Sequence, residues 1–283
     1  MSQKHQYNFT YLLGLALTSA LGGFLFGFDW VVIGGAKPFY ELFFSIKGDP
    51  TLQGWAMSSA LVGCIGGAMI SGILSDKYGR KQPLILAAVL FTISAYGSGA
   101  TDDYSFFIIY RVIGGIGIGM ASALSPLYIA EISPAIYRGR LVALNQLTIV
   151  IGILAAQICN YFIAEPIPEG ATESAILNSW NGTSGWRWMF WAELIPAGAF
   201  FFLMFLVPKS PRFLAKANKV DKAQEILARI GGEIYAQQEI TGIEQSLQQN
   251  DQKVHWGELV KGKMRPVMLI GIVLAIFQQW CGI

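Results

Sequence analysis

Three ionisable residues interrupt otherwise apolar stretches: Asp29 in Phe26-Gly27-Phe28-Asp29, Arg111 in Tyr110-Arg111, and Glu193 in Glu193-Leu-Ile-Pro196-Ala197. A lone charge in hydrocarbon is costly, so such residues face a bundle interior and pair with one another. Asp29 and Arg111 are the natural partners, and Glu193 is a second acid able to share the guanidinium. An acid held between burial and a nearby cation takes up a proton when the cation moves away. That is the physical requirement for coupling a proton to a change of shape. Two simpler arrangements use the same residues: a static ion pair that only orients two helices, and a Glu193 that reaches the headgroup region.

These charges need membrane helices to hold them. The chain has 283 residues, 53% hydrophobic and 13% charged, with 32 glycines and a mean hydropathy of +0.47. A soluble domain carries about 25% charge, so an ordinary soluble enzyme is excluded. A net charge of +2 is too small for a nucleic-acid binder. The expected partner is a lipid bilayer.

A span needs about 20 apolar residues. Six complete candidates run Tyr11–Gly35, Ala56–Leu74, Pro83–Ala100, Phe106–Ala130, Leu141–Ala164 and Met189–Pro208, and a seventh, Val267–Ile283, stops with the sequence. The first is too long, and too poor in basic flank residues, for a signal peptide. With the amino terminus cytoplasmic, sixteen of the twenty basic residues fall on inner segments and three, Lys37, Lys47 and Arg187, on outer loops. That asymmetry sets the orientation. Asp29, Arg111 and Glu193 then share a depth of about 8 to 9 Å below the outer boundary. Lys209–Arg265 forms an inner segment in which Val220, Ala223, Leu227 and Ile230, then Ile240, Ile243 and Leu247, recur at helical spacing. Six spans, a long inner loop and a further span suggest two six-helix halves. The expected parts are a six-helix half over 1–208, a cytoplasmic linker over 209–265 and a truncated seventh helix over 266–283.

Gly23-xxx-Gly27, Gly63-xxx-Gly67 and Gly115-xxx-Gly119 put small residues on single helix faces, which suits close helix contacts. The run Gly114–Gly119 misses a dinucleotide fingerprint, because Met120 takes the last glycine position and no strand precedes it. Cys64, Cys159 and Cys281 read as core residues, and His5 and His255 are too isolated for a metal site. No metal or organic cofactor is expected, with the proton as coupling ion.

Gly72-Ile-Leu-Ser-Asp76-Lys-Tyr-Gly79-Arg80-Lys81 resembles the loop signature of the major facilitator superfamily. Tyr110-Arg111-Val-Ile-Gly-Gly, Tyr128-Ile-Ala-Glu131-Ile-Ser-Pro134, Arg138-Gly139, Asn145-Gln146-Leu, Pro208-Lys209-Ser210-Pro211-Arg212 and Gln278-Gln279-Trp-Cys-Gly-Ile narrow the resemblance to its sugar porter family, over nearly the whole chain. The closest likeness within it is to bacterial D-xylose–proton symporters, whose coupling acid follows a Phe-Gly-aromatic step matched at Asp29, where passive glucose facilitators have asparagine. Their arginine and helix-six acid match Arg111 and Glu193.

The resemblance implies an all-α membrane protein of the major facilitator fold that is not an enzyme. The implied activity is alternating-access uptake of a monosaccharide, D-xylose favoured, with a proton, in the bacterial inner membrane. Phe26, Gln146, Gln278 and Gln279 would contact the sugar, primary amides being able both to donate to and to accept from hydroxyls. Asp76, Arg80, Glu131, Arg138 and Arg212 would latch the inner gate. Two departures stand out: Lys209 occupies the acid position of a Pro-Glu-Ser-Pro-Arg motif, and Ile153 replaces a second helix-five glutamine. A proton-independent facilitator and a transporter-like sugar sensor are the alternatives.

Overall fold

Helices begin where side chains can satisfy unpaired first-turn amides. The computed structural model describes residues 7–249 and 264–280. Asn8 Oδ1 accepts from the Tyr11 amide to open α1 (Phe9–Phe43). Asp49, with Pro50 at the first helical position, caps α2 (Pro50–Tyr78). Gly79, at φ +81°, ends α2 and turns the chain into α3 (Lys81–Ala100). Asp103 caps α4 (Tyr104–Ile132), and α5 covers Arg138–Ile163.

A short α6 (Glu173–Leu177) precedes the sixth span, which comprises a π turn at Asn181–Gly185, α7 (Trp186–Ala192) and α8 (Leu194–Leu206). The expected span, Met189–Pro208, therefore starts two turns too late. It also misses a break at Glu193, which Pro196 explains: it offers no amide to the Ala192 carbonyl, and its ring crowds that oxygen.

All six expected spans exist as helices long and apolar enough to cross a membrane. Their ends overrun the apolar segments, because hydrogen bonding continues until a cap stops it. Thus α1 passes Gly35 and runs through Lys37, Pro38 and Glu41 to Phe43, a length of roughly 52 Å. Phe43 lies about four turns beyond Asp29, whereas Tyr104 lies about two turns before Arg111. The helix ends thus lie at unequal distances from Asp29 and Arg111, although the two residues meet side by side.

Two tight pairings organise the bundle, α1 with α5 and α2 with α4. A Cβ on Gly27 would strike the Ile149 carbonyl, and one on Gly152 the Phe24 carbonyl. Across the other pair, Gly63 and Gly67 face the backbone of Val112 and Ile116, while Gly115 and Gly119 face that of Ala60 and Cys64. The small-residue faces therefore do the packing expected of them. α4 also contacts α1, placing the helices of Asp29 and Arg111 side by side, and α3 packs on α4, α7 and α8.

Beyond the sixth span come α9 (Pro211–Lys216), α10 (Val220–Gly231) and α11 (Glu233–Gln249). Ala223, Leu227 and Ile230 are buried, as their spacing predicts, and so is Ile240. The six-residue α9, opened by Ser210 and Pro211, is too short to show in a periodicity. The described residues up to Ile240 form one compact unit and those from Thr241 a second. In the second, α12 (Met264–Trp280) is a 17-residue apolar helix. Among the described residues there is no strand.

Candidate functional site

Asp29 on α1 and Arg111 on α4 form a two-pronged ion pair. Arg111 Nη1 donates to Asp29 Oδ1 at 2.5 Å and Nη2 to Oδ2 at 3.0 Å. Planar guanidinium and planar carboxylate match, which makes this the strongest geometry available to the pair. Glu193, at the α7–α8 break, interacts electrostatically with both, and each of the three residues is 1% exposed. Neither Glu193 carboxyl oxygen has a hydrogen-bond partner among the described residues. The site therefore holds two acids against one cation.

Aromatic side chains cover the cluster on the side away from the basic end of the bundle. Phe28, Tyr40, Phe107, Trp186 and Phe190 are buried together there, and the Arg111 guanidinium lies 5.9 Å from the centre of the Phe190 ring. Tyr40 is a site residue that the sequence reasoning missed. Its hydroxyl donates to Met57 Sδ at 3.4 Å, and it interacts electrostatically with Arg111. Eleven residues separate it from Asp29, three helical turns, so spacing alone puts both on one face of α1. Asn145 and Asn160 on α5 were missed as well; both are buried against glycines of α1, Gly23 and Gly35.

At the basic end, Arg80 Nη2 lies 2.7 Å from Glu131 Oε1 and Nη1 donates to the Ser75 carbonyl, tying the α2–α3 turn to the end of α4. Arg138 Nε donates to the Ala130 carbonyl at 3.1 Å and Nη2 to that of Ser133, adding α5 to the join. Asp76 pairs with Lys216 at 3.7 Å on an exposed surface, an arrangement worth little energy. Arg212 is exposed and makes no ion pair among the described residues. Of the five latch residues, three are joined and two stand apart. Gly79 also lies against the ring of Phe213 on α9, so a Cβ there would meet the ring in addition to the strain of a positive φ. Lys209 places its ammonium 5.5 Å from the centre of that ring.

Phe26 is half-buried and meets Trp30 edge-on at 6.5 Å; Gln146 is exposed on α5. Gln278 and Gln279 fall within α12, and their side chains lie outside the described residues.

Six helices long and apolar enough to cross a membrane, a buried Asp–Arg pair and an ion-paired loop at one end describe a multi-pass membrane protein. A family model described as "Sugar (and other) transporter" matches residues 15–283. The chain belongs to that family. An arabinose-proton symporter of Bacillus subtilis (strain 168) is 41% identical over 282 residues, covering all of this chain and 58% of the relative. A D-xylose-proton symporter of Escherichia coli (strain K12) is 40% identical over 303 residues, with 98% and 59% covered. A glucose transport protein of Synechocystis sp. (strain ATCC 27184 / PCC 6803 / Kazusa) is 43% identical over 280 residues, with 98% and 58% covered. The solved structure of the major facilitator superfamily proton:xylose symporter XylE bound to 6-bromo-6-deoxy-D-glucose matches at TM-score 0.85 and 39% identity, over 98% of this chain and 61% of that one. The chain has the major facilitator fold and spans about three fifths of the length of these relatives.

Proposed function

We propose that the protein carries a monosaccharide, D-xylose favoured, together with a proton by alternating access. The observation that carries this reading is the pair of buried carboxyls, Asp29 and Glu193, set against the single Arg111 guanidinium. One cation balances one anion, which leaves an acidic position that a proton can fill without an uncompensated buried charge. A proton on Asp29 weakens its hold on Arg111 and frees α1 and α4 to shift; its loss restores the pair. Coupling requires only that proton and sugar each bind with different affinity in the two states.

Sugar hydroxyls would be met by the amides of Gln146, Gln278 and Gln279, which donate and accept without bringing a full charge into the site. Phe26 would pack against the ring. The basic end faces the cytoplasm of a bacterial inner membrane, with the amino terminus on that side, and the Arg80–Glu131–Arg138 junction closes the inner gate. The names of the arabinose-proton and D-xylose-proton relatives support this assignment. Ile153, where the xylose symporters carry glutamine, points to glucose as the second candidate sugar, and a proton-independent facilitator is the second reading of the mechanism.

Uptake of labelled D-xylose, L-arabinose and D-glucose into proteoliposomes holding the natural full-length protein that carries these residues decides between them. An inward proton gradient should drive accumulation, and Asp29→Asn should abolish it while leaving sugar exchange intact. Uptake indifferent to the gradient in the unmodified protein refutes coupling and makes it a facilitator. Absence of any uptake refutes transport and leaves a sugar sensor.

A further inference from the structure

The departure at Lys209 has a structural consequence. Lys209, Lys219 and Lys222 line one cavity of about 510 Å³, together with Tyr11 at the start of α1 and Pro208 beyond the end of α8. Its other charged residues, Glu225 and Arg229, pair with each other at 2.6 Å and so cancel. The three lysines make no ion pair among the described residues. Lys81 adds a fourth positive charge close enough to Lys209 to repel it, while its own Nζ donates to the Phe205 carbonyl at 2.8 Å.

Two of these lysines also stand at an unfavourable place on their helix. Lys219 is the N-cap of α10, without a side-chain capping bond, and Lys222 lies in the first turn. Cations there oppose the helix dipole, and the single acid of that turn, Asp221, offsets only one of the two. An anion between them removes that conflict and takes up unpaired helix amides as well. Among the described residues lining the pocket, Glu225 is the one acid, and Arg229 neutralises it.

We propose that this pocket binds a phosphate ester, supplied in the membrane by the headgroup of an anionic phospholipid. The surroundings favour a lipid over a soluble phosphate. Phe202, Phe205 and Leu206, on the last turns of α8 just before Pro208, are 70%, 54% and 80% exposed. They offer an apolar surface for acyl chains directly beside a basic headgroup site, the arrangement by which basic pockets at helix ends hold anionic lipids. This inference needs neither the sugar nor the proton of the preceding section.

Native mass spectrometry of the detergent-solubilised protein with phosphatidylglycerol, phosphatidylethanolamine or glycerol 3-phosphate tests it. Phosphatidylglycerol should bind in preference to phosphatidylethanolamine. The triple variant Lys209→Gln, Lys219→Gln, Lys222→Gln should weaken its binding roughly 100-fold, each lysine at a membrane surface contributing about fivefold. Lys37→Gln, Lys47→Gln, Lys77→Gln removes the same charge elsewhere and should leave binding unchanged. Lys209→Glu alone should weaken it by more than about fivefold, which keeps the test valid if the triple variant does not fold. Glycerol 3-phosphate binding with the same lysine dependence, without phosphatidylglycerol binding, would establish the phosphate site and assign it to a soluble ester. Equal loss in both triple variants, or none in either lysine-pocket variant, overturns the proposal.

Discussion

Removing Asp29 and Glu193 singly and together exposes how the three charges share one site. The carboxyl and guanidinium of Asp29 and Arg111 are in direct two-pronged contact. With charge centres about 4 Å apart and an effective dielectric of about 20, their attraction is about 4 kcal/mol. Stripping a buried cation of all its partners costs a similar amount, about 3–5 kcal/mol. In Asp29→Asn, Glu193 remains beside Arg111 and takes over part of the neutralisation, so the expected loss is about 2 kcal/mol. Glu193→Gln leaves the Asp29–Arg111 pair whole and removes carboxyl oxygens that accept no hydrogen bond among the described residues, so it should cost under about 1 kcal/mol. The double variant leaves Arg111 facing two neutral amides and should lose the full 4 kcal/mol or so. At about 2–4 °C per kcal/mol for a unit of this size, melting in detergent should fall by about 5 °C, under about 3 °C and about 10 °C respectively. The informative quantity is the excess of the double variant over the sum of the singles, about 1–2 kcal/mol. Strict additivity would show that Glu193 does not share the guanidinium and would refute the two-acid, one-cation reading.

Gly115→Val places a branched side chain against the Ala60 backbone of α2, where only backbone can give way; a loss of at least about 1–3 kcal/mol is expected, read as a lower melting temperature, while Gly14→Val at an open position should change little. Glu131→Ala leaves Arg80 with only the Ser75 carbonyl; the expected cost is about 1–3 kcal/mol, with faster labelling of a cysteine introduced at the basic end as the junction loosens. Burial, with Glu239 and Tyr7 beside it, pushes the Tyr235 hydroxyl above its ordinary value, and burial, with Glu239 and Tyr137, does the same for Tyr7. A folded-state pKa raised in this way stabilises the protein below the unfolded value of about 10 and is lost as pH climbs through the folded one. Melting temperatures should therefore drop more steeply above about pH 10 in the unmodified protein than in Tyr235→Phe; identical slopes would remove the tyrosine from the account.

Helix existence was legible because hydropathy over about 20 residues measures the very property a bilayer selects. Helix ends were not, since Asn8, Asp49 and Asp103 begin helices by hydrogen bonds that hydropathy does not register. Pro196 advertised the break at Glu193, yet the extension of that span outward to Asn181 depends on a π turn with no composition of its own. Asp29 and Arg111 could be paired from sequence because charge in hydrocarbon leaves few alternatives. On the exposed basic end that logic weakens: five latch residues were grouped together, whereas Asp76 pairs with Lys216 and only Arg80, Glu131 and Arg138 converge. Charge in water has many acceptable partners, and spacing does not choose among them. Tyr40 was within reach, three turns from Asp29, but an aromatic in a membrane helix is too common to single out.

The Asp29–Arg111 pair also fixes an order of events during biosynthesis. The two residues are 82 positions apart. At about 5–20 residues per second of synthesis, α1 leaves the ribosome some 4 to 16 s before the guanidinium it depends on. Throughout that interval a membrane insertion machine handles α1 with its acid unpaired, a penalty of about 2.5–3.5 kcal/mol at mid-helix. The apolar remainder of α1, with a mean hydropathy of 1.7 over its best 18-residue window, has to outweigh that penalty alone. Conservative-looking changes to the lipid-facing residues of α1 should therefore reduce the amount of protein made before they affect anything the finished protein does.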